Sequence, residues 1–195
     1  MKVLRYVLIV LVMLTATAQA AEPVRIARLP IIFQTRIPDE KSIMGMETRI
    51  ERATHIPLNG YLQVAEYISP EESTAALEKI WSPMSTNKKA KLSEAMRPLA
   101  EELNADIIIC PILRDYMQVV IPSFNSFGET YMSSRAAVEL IVYDRRTDTL
   151  LDEKASRGHY DTFDSMGTAN YLARICFDKV IAKTKLRELI SAIGK

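Results

Sequence analysis

An apolar run in the middle of the chain constrains the fold more than any other feature. Every residue from Ile107 to Leu113 is apolar, within a segment bounded by Asp106 and Asp115. Successive residues of a strand face opposite sides, so a run that is apolar on both sides predicts a central strand covered by helices on both faces. Pro111 cannot donate to a strand ladder, and it therefore predicts a bulge within the run.

The hydrophobic periodicity on either side of this run predicts alternating helices and strands. The predicted strands are residues 24–33, 61–68, 106–115 with an extension to 121, 131–144 and 149–160, and the predicted helices are residues 42–53, 69–81, 87–104 and 166–193. Pro98 lies inside the third helix and predicts a kink or two short helices. The order predicts an α/β (α+β) fold, with a single mixed β-sheet, a late antiparallel meander and helices that cover the sheet.

The first 20 residues have the pattern of a secretory signal peptide. Lys2 and Arg5 precede a short apolar stretch, and small residues end at Ala20, so cleavage is expected between Ala20 and Ala21. The apolar stretch is shorter than the roughly 20 residues that a membrane-spanning helix needs. We expect an exported protein, periplasmic or secreted, with no transmembrane segment in its mature chain.

Composition limits what the remaining residues 21–195 can do. The chain has 25 Lys and Arg against 24 Asp and Glu, and export would remove two of the bases, which leaves 23. A nucleic-acid-binding domain normally has a strong basic excess, so no nucleic-acid partner is expected. With 48% hydrophobic residues the chain is not of the disordered class. The length predicts one globular domain.

Two cysteines, Cys110 and Cys176, lie in apolar stretches. A disulfide is chemically allowed after export, and buried free thiols are the alternative. No Cys-x-x-C pair and no Cys/His cluster with ligand spacing is present, so we expect no metal site and no cofactor.

Two segments carry a resemblance to a known group. The first, residues 99–106, reads Leu-Ala-Glu-Glu-Leu-Asn-Ala-Asp and leads directly into a strand; the second, residues 138–151, is an apolar strand followed by Asp-Arg-Arg-Thr-Asp-Thr-Leu-Leu. In this order of elements the chain resembles the periplasmic α/β domain of the curli-assembly lipoproteins and of the penicillin-binding-protein activator lipoproteins. The resemblance implies a non-catalytic envelope protein that works through protein contacts. No lipidated Cys follows the signal pattern, which departs from that group.

Apolar and aromatic residues gather around a turn between two long predicted strands. They include Val119, Val120 and Ile121, and the residues proposed for partner contact are Tyr116, Phe124, Phe127, Tyr131 and Met132. One hypothesis is that such residues pack on the sheet. The other is a protruding hairpin that contacts an envelope protein or a second copy of the chain.

A rival hypothesis places a small polar site at residues 159–165. His159 and Asp161 would share one face of a strand, with Asp164 nearby, and such groups can serve acid/base or metal chemistry. The alternative is a polar strand end followed by a helix cap at Asp164 and Ser165. No phosphate loop, nucleophile elbow or zinc-protease motif is present, so no catalytic residue is assigned. The leading hypothesis is an exported, non-catalytic envelope protein; the rival is an exported hydrolase or ligand-binding protein.

Overall fold

A computed structural model describes residues 22–87, 89–122 and 130–193. The elements are β1 (Val24–Arg28), β2 (Ile32–Phe33), α1 (Glu40–Thr54), α2 (Asn59–Leu62), β3 (Ala65–Ile68), α3 (Pro70–Met84), a 3-10 turn (Leu92–Ala95), α4 (Met96–Glu102), β4 (Ile107–Pro122), β5 (Thr130–Asp144), β6 (Thr149–Thr162), a second 3-10 turn (Ser165–Gly167), α5 (Ala169–Lys183) and α6 (Leu186–Ser191). They form one six-stranded sheet in the order β3-β1-β4-β5-β6, and β2 also pairs with β4. The predicted fold class is confirmed.

Strand β4 is central and buried on both faces over its first half, as its sequence predicts. Ile107, Ile109 and Leu113 belong to a core that includes residues of α1, α5 and α6. Ile108 and Ile112 belong to a second core on the opposite face, formed with α3 and α4. Strands β4, β5 and β6 form the predicted antiparallel meander, while β1 runs parallel to both β3 and β4. Among the described residues, no helix has the length and apolarity to cross a membrane.

The predicted first strand is two strands, because the chain leaves β1 at Leu29 and joins β4 again as β2 after Pro30. The predicted bulge at Pro111 is wrong. The register shift lies between Leu113 and Asp115, so Arg114 is the extra residue. Pro111 instead lies where the neighbour of β4 changes from β1 to β2, a position that needs no backbone donor.

Three other predicted boundaries also change. The predicted strand 61–68 begins only at Ala65, because the Asn59 side chain bonds both backbone groups of Ala65 and holds the preceding residues in a helical turn. The helix predicted over 87–104 divides before Met96 rather than at Pro98, which lies in the first turn of α4. The final helix divides at Lys185, whose φ of 51° is incompatible with a continuous helix.

The three meander strands are longer than the helices that cover them. β4 has 16 residues and therefore extends about 50 Å, whereas the 15-residue helix α3 is about 22 Å long. The strands therefore continue beyond α3 and α4 as a three-stranded extension, which we call the ribbon: residues 116–122 of β4, 130–136 of β5 and 157–162 of β6.

The two cysteines are free and buried, and they lie on opposite faces of the sheet. The sheet separates their side chains, so a bridge between them is excluded. Burial also raises the thiol pKa of both Cys110 and Cys176, which keeps them protonated and unreactive.

We therefore expect the native protein to resist iodoacetamide, and the protein unfolded in guanidinium chloride without reductant to take up two adducts. Mass spectrometry measures both. A disulfide would instead leave the unfolded, unreduced protein unlabelled.

Candidate functional site

One face of the ribbon carries exposed apolar side chains among the described residues, and we call it the open face. Its residues are Met117, Val119 and Ile121 of β4, Tyr131, Ser133 and Arg135 of β5, and Tyr160 and Thr162 of β6. Val119 is 46% exposed, Ile121 42% and Tyr160 73%. Exposed apolar side chains that stand together on a sheet are typical of a contact surface.

The opposite face of the ribbon is tied to the start of α5. Met132 is buried there, and Ser134 donates its hydroxyl to the carbonyl of Gly167. The side-chain oxygen of Gln118 accepts a hydrogen bond from the Ala169 amide at 2.9 Å, which caps α5. Among the described residues, these contacts hold the ribbon from the face opposite the open face.

The outer edge of β4 carries the second feature of this surface. Backbone groups of successive strand residues point alternately to the two sides of the strand. The amide of Leu29 donates to the carbonyl of Ile109, and the amide of Gln34 donates to that of Leu113, both at 2.9 Å. Odd-numbered residues up to Leu113 thus direct their backbone groups toward β1 and β2.

The bulge at Arg114 shifts this alternation by one residue. Tyr116, Gln118 and Val120 therefore direct their N–H and C=O groups toward the outer edge. Among the described residues, no strand pairs with β4 on that side after Leu113. Pro122 falls in the same outward series, where a missing N–H has no cost.

A cavity of about 390 Å³ lies along this edge. One wall is the segment that precedes α1, residues 36–39, and the other wall consists of residues 116–119 of β4. Asp39 is the N-cap of α1, and its side chain accepts hydrogen bonds from the Ser42 amide at 3.0 Å and the Ser42 hydroxyl at 2.7 Å. The segment is therefore anchored at the helix start. The open edge thus has an adjoining groove with a defined wall.

The structure separates the residues proposed for partner contact. Tyr116 is half-buried, with its hydroxyl 3.5 Å from that of Ser42, and Tyr131 lies on the open face. Met132 is buried on the covered face. Phe124 and Phe127 lie outside the described residues, as do Ala20 and Ala21 at the expected cleavage site. Sequence periodicity could not identify Tyr160 as an open-face residue, because the mostly polar sequence of β6 has no apolar alternation that marks its covered face.

The polar residues of the rival site do not converge. His159 packs its imidazole against Gly167, where an added Cβ would come within 3.0 Å of the ring. Its Nε2 is buried and has no hydrogen-bond partner among the described residues. Asp161 accepts from the Thr162 amide, and Asp164 caps the second 3-10 turn. Among residues 22–87, 89–122 and 130–193, no group of three His, Cys, Asp or Glu side chains could hold a metal ion.

A charged cluster that the sequence did not reveal lies where the helical cover ends. Glu139 of β5 is buried and accepts a hydrogen bond from Arg114 of β4. Its other oxygen lies 3.4 Å from the Lys154 ammonium of β6, which is also 3.6 Å from Asp152. The one available signal was an acidic residue inside the apolar strand sequence of β5.

The two carboxyl groups of this cluster have opposite pKa shifts. Burial alone would raise the pKa of Glu139, but the hydrogen bonds from Arg114 and Asp152 and the nearby cations outweigh it and lower that pKa. Burial, together with the hydrogen bond and negative charge of Glu139, raises the pKa of Asp152. The pair therefore favours one ionised and one protonated carboxyl group.

These directions predict a pH-dependent effect of Asp152→Asn. Because the folded-state pKa of Asp152 is raised, its ionisation costs stability once the pH passes its ordinary value of 3.8. The variant should gain stability relative to the parent as the pH rises from about 3 to 7. Urea denaturation at a series of pH values measures this difference.

Glu139→Gln is the matched variant, and its stability relative to the parent should change with pH in the opposite direction. The lowered pKa of Glu139 contributes stability above its ordinary value of 4.5, and this contribution is lost as the pH falls. This variant should be less stable than the parent at neutral pH and approach it in acid. If both variants show the same slope with pH, the assignment of the two carboxyl groups is wrong.

The contact between His159 and Gly167 predicts a coupled pair of substitutions. Gly167→Ala should destabilise the protein by about 1–3 kcal/mol, because the added methyl overlaps the imidazole. His159→Ala in the same background should restore most of this loss, as measured by chemical denaturation. Gly158→Ala is the control, since its Cβ would lie at an ordinary 3.7 Å from the Ser134 carbonyl. Additive effects of the two substitutions would contradict the packing role.

No protein-family model matches the chain, and no curated protein matches it. Among solved structures, a hypothetical protein from Chlamydia trachomatis is 13% identical with a TM-score of 0.48, over 87% of this chain and 99% of that one. A lipoprotein from Neisseria meningitidis is 16% identical with a TM-score of 0.32, over 84% and 99% of the two chains. The C-terminal domain of LpoB from Escherichia coli is 8% identical with a TM-score of 0.33, over 80% and 93%. Lipoproteins are thus among the structures that resemble this chain, and no particular family is shown.

Proposed function

We propose that the chain is an exported, non-catalytic protein of the cell envelope that binds a partner protein by strand addition at the outer edge of β4. The observation that carries the proposal is the run of outward backbone groups at Tyr116, Gln118 and Val120, to which no described strand is paired. An unpaired edge presents donors and acceptors at the spacing of an incoming strand. Export rests on the signal pattern of the first 20 residues.

Side chains beside this edge supply the apolar contact that backbone pairing alone lacks. Val119 and Ile121 lie on the open face, and the groove against residues 36–39 lies beside the same edge. In strand addition, backbone hydrogen bonds provide affinity, and alternate side chains of the incoming strand enter neighbouring pockets. An extended, largely apolar segment of a partner protein fits this arrangement.

The other long edge of the sheet has the opposite character. The segment 152–161 of β6 carries Glu153, Lys154, Arg157 and Asp161, and charges along an edge strand oppose pairing with another strand. In β4 the segment 116–122 has no charged residue. This contrast supports the β4 edge as the binding edge.

Photocrosslinking tests the proposal. With p-benzoylphenylalanine in place of Ile37, we expect a discrete adduct with another envelope protein in intact cells, because this side chain is 65% exposed and lines the groove beside the β4 edge. The same crosslinker in place of Tyr61, which is 90% exposed in α2, should give no such adduct.

Backbone dependence distinguishes strand addition from other contacts. Val120→Pro removes an outward N–H without breaking the β4–β5 ladder and should reduce adduct yield about tenfold, as loss of about 1.4 kcal/mol of binding would. Val120→Ala removes the same side chain but keeps the N–H, and it should keep most of the yield. Equal yields from the two folded variants would overturn the proposal of a partner strand. So would an adduct of twice the chain mass, because it would consist of two copies of this chain.

A further inference from the structure

A second cavity, of about 250 Å³, lies beside the charged cluster. It is enclosed between the end of α3, the segment before α4 and the strands β4, β5 and β6. Its lining includes Trp81, Leu92 and Ile112 on the apolar side, and Arg114, Glu139 and Lys154 on the polar side. The cavity is separate from the groove along the β4 edge, and strand addition makes no use of it.

The carboxyl oxygens of this cavity already have partners. Arg114 donates to Oε2 of Glu139, and the Lys154 ammonium lies 3.4 Å from Oε1. The same ammonium also lies 3.6 Å from Oδ2 of Asp152. Their capacity to accept further hydrogen bonds from a ligand is therefore largely used.

The donors, in contrast, are in surplus. A guanidinium has five N–H donors and an ammonium has three, so Arg114 and Lys154 keep donors beyond those directed at Glu139. Both side chains are partly exposed. Lys91 also lines the cavity, so three cations stand against the two carboxyl groups of Glu139 and Asp152. A cavity with spare cationic donors and occupied acceptors selects an oxyanion.

The apolar lining sets the rest of the ligand. Trp81 provides an indole wall, and Leu92 and Ile112 add aliphatic surface. Flat rings pack well on an indole. The volume of 250 Å³ corresponds to about eight water molecules, which limits the occupant to a small molecule.

We propose that this cavity binds a small organic anion, with a carboxylate or phosphate group held by Arg114 and Lys154 and a flat apolar body packed against Trp81. The charged cluster then forms one fixed side of the binding site. Glu139 positions the Arg114 guanidinium, and the remaining face of that guanidinium receives the anion.

The protein contains a single tryptophan, so its fluorescence reports on this cavity directly. Titration with benzoate or with phenyl phosphate should change the Trp81 emission saturably. The anion with the higher affinity shows whether the site prefers a carboxylate or a phosphate group. Benzamide, which has the shape of benzoate without its charge, should bind at least tenfold more weakly. Equal responses to benzoate and benzamide, or no saturable response to either anion, would overturn the proposal.

Variants connect the response to the cavity. Arg114→Gln should weaken binding at least tenfold, and Lys91→Met, which leaves the Glu139 cluster intact, should weaken it by a smaller factor of about three. Arg97→Gln is the control, because Arg97 pairs with Asp148 and does not line the cavity. If Arg114→Gln fails to fold, two other measurements decide. An affinity for the anion that changes neither in Lys91→Met nor at raised salt concentration would contradict the anion site.

Discussion

The bulge at Arg114 is the constraint on which the rest of the structure depends. Before it, the even-numbered residues Ile108 and Ile112 of β4 face α3; after it, odd-numbered residues such as Val119 face that side. One extra residue therefore changes which side chains are covered and which backbone groups point outward. The side chains of the open face and the backbone groups at the free edge of β4 both follow from this single shift.

Much of the fold was predictable from periodicity. The apolar run of β4 correctly predicts a strand buried on both faces, and alternation in β5 correctly places Val138, Leu140 and Val142 on one face. Boundaries were less predictable, because they depend on single contacts that have no periodic signal. The side chain of Asn59 shortens β3, and the positive φ of Lys185 divides the final helix.

The candidate surface was predictable in location but not in detail. For the uncharged, apolar and aromatic segment at the end of a long strand pair, the sequence left two hypotheses open, packing on the sheet and a contact surface. Which of its side chains face out depends on register, and the bulge reverses the faces that simple alternation from Ile107 would assign. Met132 and Val119 are equally apolar in sequence, yet Met132 is fully buried and Val119 is 46% exposed.

The charged cluster is best understood through the register of the meander. A buried ion pair contributes little net free energy compared with apolar residues of the same size, so stability does not account for Glu139. Glu139 is nevertheless bound from both neighbouring strands, by Arg114 of β4 and Lys154 of β6. A slip of either strand by one residue would turn one of these cations to the other face and leave a buried carboxylate short of a partner, at a cost of about 3–5 kcal/mol. The cluster therefore disfavours slipped registers at the point where α3 and α4 no longer cover the strands, and by the same fixed geometry it positions Arg114 at the edge of the cavity.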